Sequence, residues 1–90
     1  MPSKAELTQA LAELEEEYRF WVVEAIALER GIENLENKVD QHEDELGLTR
    51  AAEFRVRLSR TRERHAAIEA RITYVRQQLQ EMRTRLQAMP

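Results

Sequence analysis

Ninety residues with 34% charged side chains, 6% aromatics, two Gly, two Pro and no Cys describe one small domain of the long-helix or coiled-coil kind. The lack of Cys excludes disulfides and thiolate metal sites, and the longest apolar run, Phe20 to Val23, falls far short of the ~20 residues that a membrane span needs. No signal-peptide pattern stands in the first turns, which carry Lys4 and Glu6, so the expected location is the cytoplasm.

The first predicted element opens at Ser3-Lys4-Ala5-Glu6, a capping box in which Ser3 accepts from the Glu6 amide and Glu6 reaches back to the Ser3 amide. From there Leu7, Leu11, Leu14, Tyr18, Trp21, Ala25, Leu28, Ile32, Leu35, Val39, His42 and Leu46 follow at alternating steps of four and three. A 3.5-residue period sustained this far predicts a helix over about 4–46 that packs along a narrow seam. Gly31 interrupts its composition but not its repeat, which predicts one continuous helix rather than a hinge. Gly47 is suited to the left-handed conformation that closes a helix. A turn is expected over 47–49, with Thr49 as the next cap and a second helix over about 50–88. Its seam is Ala51, Phe54, Leu58, Thr61, His65, Ile68, Ile72, Val75, Leu79, Met82, Leu86 and Met89.

So short a connection favours an antiparallel neighbour. Charge points the same way. Residues 1–48 hold 4 basic and 13 acidic side chains, a net of −9, while residues 49–90 hold 10 basic and 4 acidic, a net of +6. Acidic flanks on one helix and basic flanks on the other favour pairing within the chain over pairing of like helices. The expected fold is all-α: residues 1–90 form one long antiparallel two-helix coiled-coil hairpin, dimerising into a four-helix bundle.

The reason for expecting a dimer lies in the middle of the rod. Phe20, Val23, Ile26 and Ala27 fall outside the first seam, and at the same height the second helix turns Ala66, Ala67, Ala70, Thr73 and Tyr74 away from its own. A two-helix hairpin cannot bury that surface alone, and an exposed apolar patch of this kind marks an interface. The assembly residues are taken to be Phe20, Trp21, Val23, Ile26, Ala27, Ala67, Ala70 and Tyr74. The expected function is a non-catalytic helical interaction module, a small homo-oligomeric adaptor, regulator or inhibitor that binds itself and a protein partner.

Two other classes compete. The Arg-rich start of the second helix, with Arg55, Arg57, Arg60, Arg62 and Arg64, would suit a nucleic-acid-binding regulator. Against it stand the acidic row that these arginines would face and a pI near 5.4. A structural spacer within a larger assembly is the third class. No Gly-rich phosphate loop, nucleophile motif or HExxH is present, so no catalytic residue and no cofactor are expected. His42 beside Glu43 or Glu45 is too sparse a set for a metal, and the polar seam residues His42, Thr61 and His65 read as devices that fix register.

In architecture alone the chain resembles plasmid copy-number regulators of the Rop type, which are shorter helical hairpins. The turn Glu45-Leu46-Gly47-Leu48-Thr49 lacks the Trp-x-Gly of the small WXG-type secreted hairpins. Ala52-Glu53-Phe54 and Ile68-Glu69-Ala70-Arg71-Ile72 look similar to parts of the Gre-type transcript-cleavage hairpins. Leu48 stands where that family's tip carries Asp, so the resemblance does not imply cleavage, and no family is assigned.

Overall fold

The computed structural model describes residues 2–44 and 48–90, in which two helices, α1 (Lys4–Asp44) and α2 (Leu48–Ala88), fold back on each other. The rod measures 68 × 14 × 14 Å. Its length matches the ~60 Å expected of 41-residue helices at ~1.5 Å per residue. Antiparallel pairing is fixed by contacts that join opposite ends of the chain, from Glu15 with Arg83 near one tip of the rod to His42 with Phe54 near the other.

The N-terminal cap forms as the sequence predicts on one side only. The Glu6 amide donates to Ser3 Oγ at 3.1 Å, and the Leu7 amide donates to the Ser3 carbonyl at 3.0 Å. No return bond from the Glu6 carboxylate joins them among the described contacts. The second helix begins at Leu48 rather than at Arg50, so Thr49 lies within its first turn and not at its cap. Amides in a first turn need no acceptor within the helix, which lets a helix start slide by a residue or two. Leu46, the predicted helix closure at Gly47 and the last residues assigned to the first helix lie outside the described residues.

Burial follows the two repeats. Leu7, Ala25, Val39, Ala51, Leu58, Ile68, Ile72, Val75 and Leu79 are buried, and all nine are seam positions. Among the described residues no seam position is exposed and no polar side chain is buried. A buried cluster lies mid-rod, where Ala25, Ile68 and Ile72 are packed by Tyr18, Trp21, Val22 and Leu28. The polar seam residues find partners locally. The Thr61 hydroxyl donates to the Arg57 carbonyl at 2.7 Å, and the His42 ring stacks on Phe54 with centroids 5.3 Å apart.

α1 runs unbroken through Gly31, and a Cβ built there meets nothing within 4 Å. Gly31→Ala is therefore expected to raise stability by about 0.5–1 kcal/mol, because Ala gives up less backbone freedom on entering a helix. Urea denaturation followed by circular dichroism measures it; a loss of stability would mean that Gly31 is required for a close approach by another chain.

No described helix is long and apolar enough to cross a membrane.

Candidate interaction surface

Mid-rod, four large apolar side chains stand in the open: Phe20 at 56% exposure, Val23 at 63%, Ile26 at 44% and Tyr74 at 50%. Ala27, Ala67 and Ala70 are exposed beside them, whereas Trp21 is half-buried against the core. Helical spacing divides this set. Val23 and Ala27 lie on the back of α1, with Phe20 and Ile26 to either side of them. Ala70 lies on the back of α2 and so on the opposite side of the rod. The eight residues named from sequence are thus not one flat face. Val56, exposed at 51%, is a further apolar side chain that the sequence reading passed over, because it stands alone among charged neighbours.

A connected chain of contacts joins the two helices across one flank. The Phe20 and Trp21 rings meet in a T-shaped arrangement with centroids 5.0 Å apart. The Trp21 indole N–H donates to Glu17 Oε1 at 3.2 Å. The same oxygen accepts from Arg71, whose Nε lies at 2.9 Å and whose terminal nitrogen also donates to it. The Arg71 guanidinium in turn lies over the Tyr74 ring, 5.2 Å from its centroid. Phe20 and Tyr74 are therefore anchored to a common scaffold although they sit on different helices. These partners are 54 residues apart, so periodicity identified the residues but not their meeting.

Glu17 is held below its ordinary value of 4.5, chiefly by the Arg71 hydrogen bond and next by the Trp21 N–H, against the opposing effect of burial. A carboxyl lowered on folding contributes stability that is complete above its unfolded value and is lost as pH falls through the folded one. The Glu17 and Arg71 side chains are 31% and 45% exposed, so solvent screens the pair. Glu17→Gln is expected to cost about 1 kcal/mol or less at pH 7, and the gap from the native chain should close as pH drops below 4.5. Urea denaturation at pH 7 and at pH 3 checks it; an equal gap at both would remove the charge from the explanation.

The other flank carries a ladder of acidic residues from α1 against α2. Glu15 meets Arg83 at 3.3 Å and Glu36 meets Arg62 at 3.3 Å. Between those rungs Arg76 reaches the Tyr18 hydroxyl at 3.5 Å, with its guanidinium 5.9 Å from the ring centre. One rung differs. Glu29 faces His65 rather than an arginine. A shallow groove of about 230 Å3 lies beside that rung, lined by Tyr18, Val22, Ala25, Ile26, Glu29, Glu69, Ile72 and Arg76.

The arginines proposed for nucleic acid separate in the same way. Arg62 is engaged with Glu36, and Arg55 has a partner. Arg57, Arg60 and Arg64 are exposed and make no ion pair among the described residues.

No protein-family model, curated protein or solved structure matches the chain.

Proposed function

We propose that this chain is a non-catalytic, self-associating interaction module in which two hairpins stack mid-rod into a four-helix assembly. The observation that carries this reading is the exposed apolar zone of Phe20, Val23 and Ile26 on the outer side of α1, at the level of the buried cluster of Ala25, Ile68 and Ile72.

Surface area supports it. A folded monomer of 10.6 kDa is expected to expose about 5,500 Å2, and this hairpin exposes 6928 Å2. The excess of roughly 1,400 Å2 per chain is more than the ~800 Å2 that each partner of a standard protein–protein contact removes from water.

Residue order along the back of α1 favours a second copy as the occupant. A two-fold axis at Val23, with the two α1 helices antiparallel, sets Val23 against its own copy and Phe20 over the small Ala27 of the other chain. It also brings Glu16 to the height of the other chain's Arg30. Large meets small and acid meets base, as a self-complementary two-fold contact requires. Tyr74, one turn from Ala70, lies toward the back of α2 and outside this contact. A dimer of this kind presents a longer composite surface on which a different protein can be held.

Light scattering of the native chain tests the reading. The expected mass is twice 10.6 kDa at micromolar concentration. A mass of one chain at the highest soluble concentration would overturn it.

A further inference from the structure

The irregular rung on the acidic flank has the makings of a metal centre. His65 Nε2 lies 3.2 Å from Glu29 Oε1 and 3.5 Å from Glu69 Oε1, and one ligand atom from each of the three residues falls within 4.8 Å of the others. Donors bound to one tetrahedral zinc ion at ~2.0–2.1 Å stand ~3.3–3.4 Å apart. Two of the three separations already match that edge, and the Glu side chains, about half exposed, have room to close the third.

Charge gives an independent reason. Glu15, Glu17 and Glu36 each meet an arginine across the rod. At this level the residue in register with Arg62, Arg76 and Arg83 is Glu69, so a second carboxylate stands where the pattern would place an arginine, one turn along α2 from the His65 imidazole that meets both. The arginines that bracket the rung on this flank are turned elsewhere, Arg62 to Glu36 and Arg76 to Tyr18. Among the described residues, then, Glu29 and Glu69 have only His65 between them. His65 also holds a seam position, where an apolar side chain would pack better.

We infer that Glu29, His65 and Glu69 bind a divalent transition-metal ion of the zinc class, clamping α1 to α2 mid-rod. The imidazole nitrogen favours zinc, cobalt or nickel over calcium or magnesium, which prefer oxygen donors. Three protein ligands leave a fourth position open to water. His65 was legible in the sequence only as a polar seam residue, because its partners lie 36 residues back and four residues on.

Zinc titration of the chelator-treated full chain, by calorimetry and thermal melting, tests the site. One Zn2+ per chain and a higher Tm with metal are expected. His65→Gln and Glu69→Gln should each weaken binding at least about tenfold, since even a lost outer-shell partner costs about 10–100-fold. His42→Gln should bind as the native chain does. His65→Leu, which keeps the seam apolar, should melt at or above the metal-free native chain and show no response to zinc. No binding at millimolar zinc, or a site that survives His65→Leu, would overturn the assignment and leave the cluster as hydrogen bonds alone.

Discussion

Replacing Val23 and Ile26 together by glutamate is expected to leave the helix content intact and to halve the mass in solution. Both side chains stand on the outer half of α1, at 63% and 44% exposure, and neither belongs to the seam. A hairpin by itself therefore loses little, because exposed positions away from special contacts change stability by about 0.5 kcal/mol or less. A dimer loses much more. At the proposed two-fold each Val23 meets its own copy, so a single substitution buries two carboxylates against each other, and burying charges without partners costs several kcal/mol. The dissociation constant should rise by at least about a hundredfold, using the equivalence of ~1.4 kcal/mol to each factor of ten. Light scattering reads the mass and circular dichroism reads the helix. An unchanged mass would place the interface elsewhere on the rod; loss of helix together with mass would show that the hairpin is not stable alone.

Ile72→Ala is the second large effect, and it acts on the fold instead of the assembly. Ile72 is 5% exposed and belongs to the core cluster with Ala25 and Ile68, against Tyr18, Trp21, Val22 and Leu28. Removing its outer carbons opens a cavity that stiff helical neighbours close poorly, at a cost of about 2–5 kcal/mol. A domain of this size holds only about 5–15 kcal/mol in all, so the variant should be marginal. Val56→Ala is the matched control. It removes two methyl groups from a side chain that is 51% exposed and should shift stability by about 0.5 kcal/mol or less. Equal urea midpoints for the two variants would contradict the assigned core.

The seam was legible because a 3.5-residue period needs only the order of apolar residues along each half, and every buried residue among those described falls on it. The direction of pairing was legible for a similar reason, since an acidic arm and a basic arm prefer each other. What the repeat cannot specify is the axial offset between the helices, and the offset decides which flank residues meet. Glu17 and Arg71 were both identifiable as flank residues, but nothing in their spacing shows Trp21 sharing the same carboxylate oxygen. Glu29 meets His65, a seam residue 36 positions on, a pairing that flank charge alone does not show. The apolar patch was legible as composition, and its division between the backs of the two helices follows from helical spacing once the antiparallel pairing is fixed. The start of α2 at Leu48 escaped because Thr49 satisfies the rules for a cap and for a first turn equally well.

The antiparallel course also sets how the rod would respond to mechanical load. Force applied through both tips of the chain enters at one end of the rod, where Glu15 meets Arg83. Pulled apart there, the helices peel like adhesive tape, surrendering one rung at a time, and the His42–Phe54 stack parts last. Force applied between a chain tip and the bend would instead shear every rung at once. The same set of contacts is therefore weak along one direction of pull and strong along the other.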